Sequence, residues 1–269
     1  MVSSVLAIWR YPLKSASGEE LHSVDVESDG LRADRMWACL DLADGTVGSA
    51  KHPGRWSRLL EVDTRVDGHQ AAIGIAGTWS VAGSPHAEAL LSAHVGRHVR
   101  MTRVVPERAT LHRQLPDDAG LVPDWMTGAA GSAIVTDIAG ARPGGRFVDF
   151  GAVHLVTSGA LAALASQLGR PAVDAARFRP NLILDAARDP APGQELHIGE
   201  VILRVVLPTP RCVVPGLIPD GVSPVDRPLL RALAQHHRSQ VGDVGRAACF
   251  GVYAEVLRPG RIAVGQRLL

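Results

Sequence analysis

The sequence predicts a strand-rich α+β protein, with a small strand-rich N-terminal domain followed by a larger part whose many short strands and few helices suit a closed β-barrel. Short β-type runs alternate with turn signals through the first hundred residues. Apolar residues at helical spacing occur in few places, and the C-terminal half again reads mostly as strands.

The N-terminal runs are SVLAIWRYPL, LHSVDV closed by ESDG, MWACLDL closed by ADG, and LLEVDTRV closed by DGH. In SPHAEALLSAHVG, Ala87, Leu90, Leu91 and His94 stand at helical spacing, with Ser84 placed to cap the helix and Gly96 to stop it. Residues 106–124 mix Pro, Asp and Arg without periodicity. They are expected to connect a first domain, 1–105, to a second, 125–269. In the second, FVDFGAVHLVT reads as a strand, TSGALAALASQLG as a helix opened by Thr157 or Ser158 and ended by Gly169, and FRPNLILDA as another strand. HIGEVILRVVLPTPRC alternates and then turns at its prolines, and FGVYAEVLRPGRIAVGQRLL reads as a hairpin with a Pro-Gly turn.

Composition narrows the function. A chain of 269 residues with 46% hydrophobic residues, 20% charged residues and a formal net charge of +1 is a globular protein with no bulk attraction to nucleic acid or membrane. No apolar run approaches the roughly 20 residues that span a bilayer. The first residues lack the basic segment of a secretory signal, so the expected location is cytoplasmic. Cys39, Cys212 and Cys249 are too few and too scattered for a disulfide framework or a CxxC zinc site.

The segment TPRCVVP sets Cys212 directly after Arg211. A neighbouring guanidinium favours the thiolate that binds a metal or attacks an electrophile. Free cysteine is also common core filler, and the segment alone leaves both readings open. YPLKS, FRPN and the Asp34-Arg35 pair each set a cation beside a hydrogen-bonding side chain, which suits a phosphate or a polar heterocycle. The same pairs occur as solvated surface charges. His94 and His98 have zinc-ligand spacing but neither an HExxH glutamate nor an evident third ligand, and the Gly-rich stretches lack nucleotide-loop spacing.

Together, and in this order, YPLKS, GLRADR, FVDFGAVHLVTSGAL, RFRPNLIL, TPRCVV and FGVYAEVLRPGRIAVG resemble the MOSC proteins over nearly the whole chain, which implies a small N-terminal β-barrel-like domain followed by a MOSC β-barrel domain with a few helices. The resemblance is strongest to the two-domain branch that includes the mitochondrial amidoxime-reducing component. It implies a molybdenum cofactor with Cys212 as metal ligand and catalytic thiolate. Lys14, Ser15 and Arg35 would reach the cofactor from the first domain, and Thr157, Ser158, Arg179, Asn181 and Arg211 from the second, with Tyr253 matching a tyrosine near the end of the pattern. The chain departs from the family in two places. VVPGLIPDG follows Cys212 where many relatives carry hydroxyl side chains, and Gly265-Gln266 replaces a Gly-Asp pair, removing an acidic capping group.

The implied activity is reduction of N-hydroxylated or N-oxide substrates by oxygen-atom removal, the metal doing the redox chemistry. Electrons would come from a separate donor of ferredoxin, cytochrome or flavoprotein type, since no such motif stands in the chain. Two other readings share the same thiolate: a sulfur-transfer enzyme carrying a persulfide on Cys212, and a cofactor carrier without turnover. Pyridoxal phosphate is not expected, because neither of the two lysines, Lys14 and Lys51, stands in an aminotransferase context.

Overall fold

The structure is a computed structural model that describes residues 4–217 and 225–268. It has the strand-rich α+β architecture expected from the sequence. Its main sheet follows the order Glu195–Ile198, Val201–Pro210, Gly245–Arg258, Val153–Thr157, Leu182–Leu184, Val5–Arg10, Glu19–Leu21, with Arg238–Val241 pairing the start of Gly245–Arg258. Val153–Thr157 and Leu182–Leu184 are parallel, so a crossover must join them. The helix Ser158–Gln167 supplies it, opened by the Thr157 side chain, which accepts from the Ala160 amide.

A smaller sheet of Gly260–Ala263, Ser23–Glu27 and Gly30–Leu31 closes over the same apolar interior. Ile8, Val24, Leu155, Leu203 and Ile262 are all buried there, so strands from both ends of the chain share one core. A second core, around Leu13, Trp56, Leu59, Ile73 and Leu91, lies under the meander Asp63–Asp67, Gln70–Ile75, Thr78–Val81 and the helix Pro85–Val95. That helix starts and stops where the sequence indicates: Ser84 Oγ accepts from Ala87 N at 3.1 Å, and Gly96 takes the left-handed conformation at φ 68°.

The chain departs from the sequence reading in four places. The expected hairpin at Pro259-Gly260 does not form, because Gly260–Ala263 leaves its predecessor and pairs with Ser23–Glu27. Tight hairpin turns need a central residue at positive φ, and Gly260 is not at positive φ. The prolines after Leu207 do not turn the chain. Val201–Pro210 runs through them against Gly245–Arg258, past the point where its other neighbour ends at Arg204, so the missing N–H groups face no ladder. The connection 106–124 contains the strand Thr110–Gln114, paired with Ala133–Asp137. Residues 147–150 are loop, and the strand expected there begins at Val153.

Gln266, at the position where the resemblance leads one to expect an acidic cap, accepts from Ala263 N at 3.1 Å through its neutral amide oxygen. The stretch after Cys212 is described as far as Leu217, and the remainder of VVPGLIPDG lies outside the described residues.

Candidate functional site

Loops from both halves of the chain meet in a cleft lined by Lys14, Ser15, Arg35, Arg179, Arg211, Cys212 and Tyr253. Ser15 at φ 64°, Arg35 at φ 50° and Arg179 at φ 55° hold left-handed backbone conformations, three of the five such non-glycine residues described. Each costs on the order of 1 kcal/mol, and strain of this kind gathers where geometry is fixed for function. Tyr11 is buried between two of these side chains, with the Arg179 and Arg35 guanidinium carbons 4.3 and 4.8 Å from its ring centre.

The two halves are stitched together by the same groups. Lys14 Nζ donates to Phe147 O at 3.0 Å and to Asp149 Oδ1 at 2.9 Å. Arg35 donates to Asp34 at 2.5 Å, to Asn181 Oδ1 at 3.0 Å and to Arg179 O at 3.0 Å, while Arg179 donates to Ala16 O. Ser15 Oγ accepts from Ala50 N at 3.1 Å, which leaves its hydrogen able to point to the cleft.

Three residues expected at the site do not line the cleft. Thr157 is fully buried, caps its helix, and donates to Asp189 Oδ1 at 2.8 Å. Ser158 Oγ donates to Asp185 Oδ1 at 3.3 Å. Asn181, also fully buried, sits behind Arg35: its oxygen accepts from Arg35 and from His154 N at 3.1 Å, and its amide donates to Trp9 O at 3.2 Å. Their hydrogen-bonding groups are committed to the protein.

Sequence reasoning missed other residues of the cleft wall. Lys51 and Lys14 both approach Asp149 Oδ1, Lys51 at 2.6 Å. Arg113 and Arg177 add two further cations, and Asp149 is the one carboxylate among the lining residues. Lysine scarcity singled out Lys51, but nothing local tied it to Lys14. Asp149 was hidden in a run that read as strand.

The charge balance is the main electrostatic fact. Burial pushes Lys51 down to about 8, lowers Lys14, and pushes Arg179 down to about 10. Burial alone would raise Asp149, but Lys14 and Lys51 outweigh it and hold the carboxyl well below its usual range. Arg113 is 9% exposed, and its Nε has no hydrogen-bond partner among the described residues.

Cys212 is the half-buried cysteine of the three, and it lines the cleft. Cys39 and Cys249 are buried in apolar clusters, where burial raises their thiols, Cys39 to about 12. Arg211 donates to Phe250 O at 2.9 Å and to Phe178 O at 3.1 Å, and it also meets the His154 ring. Burial, then Arg211, holds His154 well below the usual histidine range. A neutral ring with its proton on Nδ1, facing Arg179 O at 3.4 Å, leaves Nε2 to accept from Arg211; this tautomer is assigned from the bonding pattern.

These groups fit the cofactor that the sequence implies. A cleft holding Lys14, Lys51, Arg35 and Arg179 against one carboxylate calls for an anion, which a pterin phosphate is. A thiol on the same wall offers a soft ligand to a metal carried by that pterin.

Comparison with known proteins identifies the family. Residues 2–77 match the MOSC N-terminal beta barrel domain, and residues 144–269 match the MOSC domain. Mitochondrial amidoxime-reducing component 1 of Homo sapiens is 24% identical over 298 aligned positions, covering 98% of this chain and 82% of that protein. Among solved structures, the YuaD protein of Bacillus subtilis is 11% identical over 100% of this chain and 94% of its own, with a TM-score of 0.46. YiiM of Geobacillus stearothermophilus is 18% identical over 51% of this chain and 66% of its own, with a TM-score of 0.32. Structural likeness of this degree adds nothing to the assignment, which rests on the two domain matches: the chain is a MOSC protein, with a MOSC N-terminal beta barrel domain followed by a MOSC domain.

Proposed function

We propose that this chain binds the molybdenum cofactor in the cleft between its two halves and reduces N-hydroxylated or N-oxide compounds. The observation that carries this reading is the cation-rich cleft with Cys212 on its wall. Similarity to a protein named for reducing amidoximes, which carry an N-hydroxy group, supports the substrate class.

In this reading the Cys212 thiolate would be the protein ligand of the metal. Lys14, Ser15, Arg35 and Arg179 would hold the phosphate, and Arg211 and Tyr253, which line the same cleft, would help hold the pterin. Asn181, Thr157 and Ser158 act behind the wall, Asn181 by fixing Arg35 and the other two by fixing the turn into the crossover helix. When bound, the cofactor supplies two-electron chemistry at the N–O bond. The buried cations stabilise negative charge at the cleft, and the His154–Arg211 contact holds the segment before Cys212 in place.

Reduction consumes two electrons and two protons and releases water. The electrons are proposed to come from a separate redox protein of ferredoxin, cytochrome or flavoprotein type. No helix among the described residues is long and apolar enough to cross a membrane.

The test is molybdenum analysis with fluorescence detection of oxidised pterin, on protein made in a host that synthesises the cofactor. The reading expects near-stoichiometric metal and pterin, and loss of the metal in Cys212→Ser at unchanged folding. Well-folded protein without either component sinks it, and a persulfide on Cys212 would then point to sulfur transfer.

A further inference from the structure

A second cavity of about 520 Å3 opens beside the cofactor cleft, and the two share Lys51, Arg113, Trp125, Met126, Asp149 and Phe150 along their common wall. Its outer wall is the Ala133–Asp137 strand, which pairs with the strand carrying Arg113.

Arg113 stands at a position where that strand points inward. Along Thr110–Gln114 the alternating buried positions are Leu111 and Arg113. Leu111 fills a core cluster, whereas Arg113 brings a guanidinium to the same depth. It has no hydrogen bond or ion pair among the described residues, and its Nε is buried. A buried donor without a partner is costly, and a planar donor fork is satisfied best by a carboxylate or a similar planar anion.

The rest of the wall is aromatic. Trp125 meets Phe150 edge-to-face at 6.5 Å between ring centres, and Phe150 meets Tyr253 at 6.4 Å. This row runs from the second cavity to the cofactor cleft, and both Trp125 and Phe150 keep part of their faces exposed. Flat apolar walls of this kind suit a planar ring.

We propose that this cavity is the substrate pocket, that it takes an aromatic N-hydroxy compound bearing a carboxylate, and that Arg113 binds that carboxylate. Its place as a substrate pocket rests on the cofactor reading above. Arg113 itself is a specificity-determining residue, remote from the reacting bond.

The experiment measures binding by calorimetry on the full chain, with benzamidoxime and 4-carboxybenzamidoxime as the pair of probes, alongside metal and pterin content. Wild type should bind the carboxylated probe about tenfold more tightly or better, the range of a charge-assisted hydrogen bond. Arg113→Met should erase that preference, leaving benzamidoxime binding and cofactor content unchanged, and Arg113→Lys should restore part of it. No preference in wild type overturns the proposal, as does a preference that survives in Arg113→Met. Loss of pterin together with the preference also overturns it, by assigning Arg113 to the cofactor. If Arg113→Met fails to fold, Arg113→Lys against wild type, with Trp125→Leu weakening both probes, decides the matter. A carboxylate preference that depends on Arg113 in protein devoid of cofactor would sink the cofactor reading and leave the anion pocket standing.

Discussion

Arg35 donates a hydrogen bond to the side-chain oxygen of Asn181 at 3.0 Å, so a cation from the first half of the chain is held by a fully buried amide from the second. The same amide binds His154 N and Trp9 O, which makes it a junction of three segments. Asn181→Ala leaves those groups buried and unpaired and should cost about 2–4 kcal/mol. Urea denaturation checks this. Cofactor content should fall as well, because Arg35 loses its anchor; a variant of wild-type stability would show that water replaces the amide without loss.

Arg179 can be tested with little backbone penalty. It holds φ 55°, a conformation that glycine adopts freely and other residues at a cost of about 1–2 kcal/mol. In Arg179→Gly that relief offsets part of the loss of the contacts to Tyr11 and Ala16. The melting temperature should shift by only a few degrees while pterin content falls about tenfold or more, if the guanidinium grips an anion. Pterin content at the wild-type level would remove Arg179 from the proposed grip.

The unequal legibility of fold and site has a physical basis. Ser84 and Gly96 bound a helix by local chemistry, so that element could be read from sequence. The strands Val5–Arg10 and Gly260–Ala263 pair with partners far along the chain, and period-two patterns do not name partners. YPLKS and TPRC were visible because cation and hydroxyl or thiol are adjacent. Lys51, Arg113 and Asp149 come from separate segments, and only the interlocking of the two halves brings them to one wall. The resemblance implied cofactor contacts for Thr157 and Asn181 from their positions in its motifs. Their burial, which the sequence does not display, commits them to the protein.

Lys51 predicts a rise of stability with pH. Burial holds its folded pKa near 8, below the ordinary 10.5, so between these values the unfolded chain binds more protons than the folded one. Stability must then increase with pH across that window, and the cost of burying the charge is fully present below about 8. Lys14 is lowered by burial too and acts in the same direction. In Lys51→Met this contribution disappears. Urea midpoints at pH 7, 8.5 and 10 should show wild type gaining on the variant as pH rises, by up to roughly 2–3 kcal/mol. A constant difference across the range would mean that Asp149 compensates the buried charge completely.

Gly251 offers a separate test of the wall behind Cys212. It lies within Gly245–Arg258 at φ 72°, and a Cβ placed there would stand 2.5 Å from Leu155 O and 2.6 Å from His154 Nε2. The first neighbour is backbone of the adjacent strand and cannot give way. The second is the imidazole that accepts from Arg211. Gly251→Ala therefore combines a disfavoured φ with a clash, and should destabilise by about 3 kcal/mol or more. Gly77 has φ 81° but nothing within 4 Å of its added Cβ, so Gly77→Ala isolates the backbone cost of about 1–2 kcal/mol. The difference between the two variants measures how rigidly the Leu155 backbone and the His154 ring are packed together. If His154 is displaced, Arg211 loses its acceptor, the segment leading to Cys212 loosens, and the thiol should react faster with Ellman's reagent in Gly251→Ala alone. Equal stability of the two variants, with equal thiol reactivity, would show that the imidazole moves aside freely and does not hold the cysteine segment in place.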